Sequence, residues 1–328
     1  MAIRLVCSLI FGLKSVFLGS SLTYGAVMIR NLSVFVGLFA LISGCATDGE
    51  TNVVSKAPME TPLSLGITAP ISIKEAQKDA QQLEVLFTES MGEAVTVQVY
   101  PSYDELVAAI VTGVLDLAWM PPLAYVKARR QAMVIPIRKA VRAGHASYKS
   151  VFFTRTDSAM RSPADLKGTK IGWVSKLSSS GYLFPRVLLL DAGINPDGLF
   201  SEELFLEGHL AVCKAVANGT VDVGATFTDD IFEQTPRSVS ACAKMGVFPE
   251  NTFKVLSATP EVPSDVVVAR SGLPPMMIKS VSTALDGLSN KANLRSLLGR
   301  TLDADGFIAV GLGDYHSVEH ALEVLESQ

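Results

Sequence analysis

Three hydroxyls in a row, Ser178, Ser179 and Ser180, stand between the strand-like KIGWVS and the apolar run LFPRVLLL, with Gly181 directly behind them. A strand, a loop of small polar residues and a helix expose unpaired backbone N–H groups and partial positive charge at the helix N-terminus. Serine hydroxyls add donors, so an oxyanion could be gripped there without Lys or Arg. The same residues also permit a plainer arrangement, in which one serine caps the helix and the others are solvated, and the motif alone favours that one. A second chemically suggestive spacing is HSVEH, His316 to His320. Imidazoles at i and i+4 share a helical face, the geometry of two zinc ligands in an H-x-x-E-H hydrolase pattern. Only Glu323 and Glu326 follow as further carboxylates, so a solvated amphipathic helix is the expected state, no metal site is assigned, and zinc hydrolysis is a remote alternative. Gly-x-Ser-x-Gly elbow, P-loop and dinucleotide fingerprint are all missing, which leaves enzyme chemistry without a starting residue and calls for no cofactor.

The elements that must position these groups read as α/β. From Leu63, short apolar runs alternate with helix-period segments, an α/β pattern with mainly parallel strands. LSLGIT and AVTVQVY read as the first two strands, and Ala76, Ala80, Leu83 and Phe87 recur at helical spacing between them. Ser162 before Pro163 reads as a helix N-cap with a first-turn proline. A weak internal echo links LVAAIVTGVLDLAWM, around Gly113 and Asp116, with AVCKAVANGTVDVGATF, around Gly219 and Asp222. Each is a helix, a glycine turn, an Asp and a buried strand, which suggests two similarly wound lobes, with both aspartates as turn caps. The chain closes with a helical region to about Leu302 and a short helix from about Ser317.

A net charge of -4 over 328 residues with 48% hydrophobic content excludes a basic nucleic-acid binder and a disordered tail. MIRNLSVFVGLFALISGCATDGE, from Met28, resembles a bacterial lipoprotein signal, its lipobox matched by Ile42, Ser43, Gly44 and Cys45. The resemblance implies cleavage before Cys45 and a lipid on that residue. Residues 1–45 are therefore expected to be an N-terminal extension and signal, with Met28 a candidate true start, and 46–62 a flexible tether. Cys213 and Cys242 are the remaining thiols of the mature body. An extracytoplasmic location permits a disulfide between them, but the spacing does not imply one, and two buried free thiols are expected.

SSSGYLFP, then FSEELFLEGHLAVCKAVANGTVDVGATF, then VPSDVVVAR, in that order, resemble the phosphonate-binding family of periplasmic ABC-importer proteins, over about 63–310. The resemblance implies a type II periplasmic-binding fold: two lobes joined by two crossovers, closing on ligand in the cleft. Residues 63–146 and 262–328 are expected to form lobe one, and 147–261 lobe two. It also implies that Ser178, Ser179, Ser180, His209 and Tyr103 contact the phosphonate oxygens, and that Asp229 and Asp265 face an ammonium group in aminophosphonate binders. Met120 stands after the Trp of DLAW where the aminophosphonate pattern has a phenol, and Tyr125 of PPLAY is expected to line the cleft instead. These departures leave phosphite, phosphate and other alkylphosphonates open as ligands. The expected protein is a monomer and a periplasmic lipoprotein that delivers its ligand to an ABC permease, with Ala46 slightly favouring the outer membrane in a Gram-negative host. An anion sensor presenting its closed state to a receptor kinase is the alternative.

Overall fold

The computed structural model describes residues 61–68, 73–246, 248–249, 251–288, 297–299 and 301–328. The N-terminal extension, the signal with Cys45 and nearly all of the tether lie outside the described residues. Among those described, no helix is long and apolar enough to cross a membrane.

The first sheet contains β1 (Leu63–Thr68), β2 (Val95–Tyr100), β3 (Leu117–Met120), β4 (Val134–Val141), β10 (Val266–Arg270) and β11 (Gly306–Ala309), in the order β11-β4-β10-β3-β1-β2. The second contains β5 (Ser147–Arg155), β6 (Lys170–Trp173), β7 (Glu202–Phe205), β8 (Val223–Thr228) and β9 (Phe253–Pro263), in the order β7-β6-β8-β5-β9. Each sheet has the strand that has just crossed over, β10 or β5, set antiparallel beside its third ordinary strand. Parallel ladders join β1 to β2 and β3, and β6 to β7 and β8. The expected predominance of parallel strands is thus corrected to a mixed sheet. A strand arriving from the other half enters from the opposite end and must run against its neighbours.

Both faces of each sheet are covered, which is why the strands read as continuous apolar runs. Alternation sorts Leu117 and Trp119, with Val267 and Ala269, to one face, and Ala118 and Met120, with Val266 and Val268, to the other. The first set meets α1 (Ile73–Met91) and α7 (Pro275–Leu288), whose Leu83, Phe87, Val281 and Leu285 are buried against it. The second meets α2 (Tyr103–Val111) and α3 (Pro122–Gln131). In the second sheet, Val151 and Phe153 pack under α5 (His209–Ala217) and α6 (Ser240–Met245), while Phe152 and Trp173 pack with Leu189 of α4 (Phe184–Asp191). The C-terminal helix α8 (His316–Glu326) puts Val318, Ala321 and Leu322 into a cluster that also holds Tyr125 and Leu123 of α3 and Phe184 of α4, so it packs on both halves.

The internal echo has a physical basis. Gly113 and Gly219 have φ of 77° and 78°, the left-handed region that ends a helix without a Cβ penalty. Asp116 then accepts from Ser64 N–H at 3.0 Å, and Asp222 from Lys170 N–H at 2.8 Å, so each aspartate ties the third strand of its sheet to the first. Ser162 and Asp165 form a capping box on a single 3₁₀ turn, Pro163–Leu166, shorter than a full helix.

Cys213 of α5 and Cys242 of α6 form a disulfide, which overturns the expectation of two free thiols. Both residues are buried in one apolar cluster beneath the sheet, and helix packing brings together what the sequence separation of 29 residues does not.

The chain passes between the sheets at 142–146 and 264–265. Ser264 N–H donates to Ala146 O at 3.0 Å, Ala140 N–H to Asp265 O at 2.9 Å, and the buried Tyr315 hydroxyl to Ser264 O at 2.9 Å. The two crossovers are therefore tied to each other and to the start of α8.

Candidate functional site

Two helix N-termini, one from each half, meet at a small cavity. Ser102 caps α2 by accepting from Glu105 N–H at 3.2 Å, which sets Tyr103 as the first helical residue. Gly208 precedes α5 without any side-chain cap, leaving first-turn N–H groups beside His209 for something else. A cavity of about 30 Å³ is lined by Thr68, Pro101, Ser102, Tyr103, Glu207, Gly208 and His209, room for about two water-sized groups. It lies beyond the carboxyl end of β1 and before α5, the end of an α/β sheet where ligands collect.

The titratable groups here are poised as neutral donors. Burial, followed by the nearby Asp265 carboxylate, raises the Tyr103 phenol above its ordinary value, against a hydrogen bond with Thr68. Tyr103 stays protonated at any working pH. The His209 ring accepts or donates at Nδ1 to Thr226 Oγ1, 2.7 Å away, and stands edge-on to Phe227 at 5.0 Å. Burial pushes its pKa down to about 4, with Asp303 opposing and Arg142 adding to the shift, so the imidazole is neutral. Glu207 has a φ of 55°, and burial and then Asp104 raise its carboxyl. That places one less readily ionised acid at the rim.

Beside the cavity, charges gather where the chain crosses over. Arg142, 5% exposed, pairs with Asp265 through Nη2 and with Asp303 through Nε at 3.0 Å. Desolvation acts to lower its pKa, but Asp265 and Asp303 outweigh it and hold the guanidinium charged. Asp265 is raised by burial, with Arg142 opposing. Lys244 of α6 reaches Asp229 at 2.7 Å and Asp303 at 2.9 Å. Both acids singled out in the sequence thus already face cations of the protein itself. The buried Tyr148, raised by desolvation and then by Asp265, lies beneath Arg142 at 5.8 Å and hydrogen-bonds Ser179.

The serine loop is placed differently from the cavity residues. Ser178, Ser179 and Ser180 are 2%, 1% and 3% exposed. Ser178 Oγ accepts from Gly181 N–H at 2.9 Å as the cap of the wide turn Ser179–Leu183. Ser179 Oγ accepts from Leu123 N–H at 2.9 Å, satisfying an open donor at the start of α3 in the other half. The Ser180 carbonyl accepts from Ser150 Oγ at 2.6 Å. A Cβ on Gly181 would come within 2.3 Å of Val174, so glycine is required here for close packing of the loop on its strand.

Tyr103 and His209 therefore line the cavity, and Asp265 is near enough to act on Tyr103. Asp229 and the serines belong to the surrounding layer. Met120 is fully buried between β3 and α2, and Tyr125 packs edge-on against Tyr315 at 4.9 Å, so neither lines the cavity. Sequence reasoning missed Thr68, Arg142, Tyr148, Glu207, Lys244 and Asp303. Arg142 alone carried a signal, a basic residue directly after the strand Val134–Val141, at the start of RAGH. In HSVEH, Glu319 is bound by Arg129 of α3 while His316 and His320 are exposed. Among the described residues, no group of three or more side chains is placed to hold a metal.

Residues 65–315 match the model of a family described as "ABC transporter, phosphonate, periplasmic substrate-binding protein". The chain belongs to that family. The phosphate-import protein PhnD of Mycolicibacterium smegmatis is 26% identical over 247 residues, covering 69% of this chain and 74% of that protein. A binding-protein component of an ABC phosphonate transporter from Pseudomonas aeruginosa superposes with a TM-score of 0.67 at 22% identity, over 79% of this chain and 85% of that one. PhnD1 from Prochlorococcus marinus, in complex with methylphosphonate, gives 0.66 at 21%, over 81% and 98%. The fold is the type II periplasmic-binding fold, with two lobes and a cleft between them. A member of this family is a periplasmic substrate-binding component of an ABC transporter for phosphonate, a transport role.

Proposed function

We propose that this protein captures a small phosphorus oxyanion or phosphonate in the cleft between its lobes and presents the closed form to an ABC permease, without catalysing a reaction. The observation that carries this reading is the meeting of two helix N-termini, with the protonated Tyr103 phenol and the neutral His209 imidazole, at one cavity. Backbone N–H groups, a phenol and an imidazole N–H all donate, and an oxyanion with several acceptor oxygens is their complement. About six such bonds, offset by the cost of closure, are compatible with roughly micromolar binding near -8 kcal/mol. Lobe one comprises 63–146 and 262–328, lobe two 147–261, and closure turns about the two crossovers. The serine loop then acts mainly by holding α3 against lobe two, so that its hydroxyls set the cleft's width.

Cys45 carries the lipid anchor in this reading, and residues 46–62 tether a monomeric domain to the membrane, the outer one in a Gram-negative host that follows the Asp retention rule. Calorimetric titration of purified, ligand-stripped protein with phosphate, phosphite and methylphosphonate tests the central part. Micromolar heats from at least one ligand, lost in Tyr103→Phe with His209→Ala, are expected. Folded protein that is silent to all three would sink the proposal. Mass spectrometry of the membrane-bound protein, with Cys45→Ser as control, tests the anchor.

A further inference from the structure

His209 has two ring nitrogens, and while the imidazole is neutral only one of them carries a proton. Which one is set by the hydrogen bond that the other makes, and the partner here is Thr226. Thr226 is fully buried on β8, with Oγ1 2.7 Å from His209 Nδ1. The strand and α5 come this close because Gly224, two residues earlier on the same face of β8, has no side chain. A Cβ there would lie 2.7 Å from Val212, three residues along α5 from His209. The next residue of the strand, Phe227, stands edge-on to the imidazole at 5.0 Å. β8 thus borders the ring with a hydroxyl and an aromatic edge, and the ring in turn lines the cavity.

Among the described residues, His209 Nδ1 is the only hydrogen-bond partner of Thr226 Oγ1. If Nδ1 carried the ring proton and donated it, the threonine proton would be buried with no acceptor, an arrangement that folded proteins avoid. If the hydroxyl donates instead, Nδ1 is its acceptor and the ring proton stands on Nε2. Nε2 is then the polar atom that His209 offers to the cavity. A carboxylate in the place of Thr226 would draw a second proton onto the ring. An uncharged hydroxyl does not, in keeping with a His209 pKa that burial pushes down to about 4. We propose that Thr226 is a positioning residue of the oxyanion site: its hydroxyl donates to Nδ1, fixes the His209 proton on Nε2 and holds that N–H on an unprotonated ligand oxygen. Thr226 acts through His209 and does not touch the ligand, and its role rests on the cleft reading above.

Nitrogen NMR spectra of isotope-labelled native protein at neutral pH read the proton position without any ligand. The His209 ring signals, identified by their loss in His209→Gln, are expected to show Nδ1 unprotonated and Nε2 protonated. The reverse pattern would overturn this inference and leave the cleft reading intact. Calorimetric titration with phosphate, phosphite and methylphosphonate supplies the second measurement. Thr226→Val keeps the side-chain shape and removes the hydroxyl, and should weaken the tightest of the three ligands by about 10-fold, with Thr226→Ser within about 3-fold of the native protein. Unchanged affinity in folded Thr226→Val would also overturn the inference, because a purely structural threonine would cost stability and not binding. A native protein silent toward all three ligands would overturn the cleft reading and this inference with it. The nitrogen pattern of the native protein decides even if Thr226→Val fails to fold.

Discussion

Two helix-start regions of lobe two, the serine loop and the start of α5, contrast in what satisfies their polar groups. At the serine loop, every hydrogen bond described runs to another protein group, including one across to Leu123 of lobe one. At α5, Gly208 offers no cap, and the first turn borders a cavity with Tyr103 opposite. The loop richest in hydroxyls is bonded across to Leu123 of the other half, and the plainer start, Gly-His, borders the cavity. In the loop the Ser178 and Ser179 oxygens act as acceptors for protein N–H groups, so the two regions differ in what they border and not in the number of hydroxyls.

Predictions that break or sharpen this contrast can be ranked by size. Removing the α5–α6 disulfide with Cys213→Ala and Cys242→Ala should cost about 3–4 kcal/mol, the chain-entropy figure for a loop of 29 residues. Denaturant unfolding would read it, and an unchanged midpoint would mean that packing alone holds α5. Acidification comes next. The unfolded chain protonates a histidine near 6.5, whereas folded His209 does so only near about 4. Stability from this group is present above 6.5 and is lost as pH falls toward 4, by up to about 3 kcal/mol. His209→Gln should flatten that part of the pH profile.

Ser179→Ala leaves the Leu123 N–H without its partner and should cost about 1–3 kcal/mol of stability. If the loop is a joint, that loss is seen without ligand; if Ser179 instead grips the oxyanion, affinity falls and the unliganded unfolding midpoint does not. The smallest effect expected is from Ser102→Ala, about 1 kcal/mol for the α2 cap, with a modest loss of affinity because Tyr103 is set by that cap.

Much of the fold was legible in the sequence. Leu63–Thr68 and Val95–Tyr100 are strands where the alternation placed them, and Ala76, Ala80, Leu83 and Phe87 are all buried along α1. The Gly-Asp echo was readable because a left-handed turn and a strand-tying carboxylate each demand a particular residue. The antiparallel crossover strands were not, since strand direction depends on where the chain returns from, which no local pattern records. Of the site residues, Tyr103 and His209 were visible through family resemblance, as helix-start residues next to a cap or glycine. Arg142, Lys244 and Asp303 were not, because they meet only after both crossovers are made, from positions as far apart in sequence as 142 and 303. Of the misplaced expectations, Met120 lies on the face of β3 covered by α2 and α3, while Tyr125 is a residue of α3 itself, packed edge-on against Tyr315.

The most direct test of the central claim is a crystal structure of the protein grown with methylphosphonate. The phosphonate oxygens are predicted within hydrogen-bond distance of the Tyr103 hydroxyl, the His209 ring and the first N–H groups of α5, with Ser179 still joined to Leu123. Phosphonate density elsewhere, or a cleft without it at saturating ligand, would contradict the account.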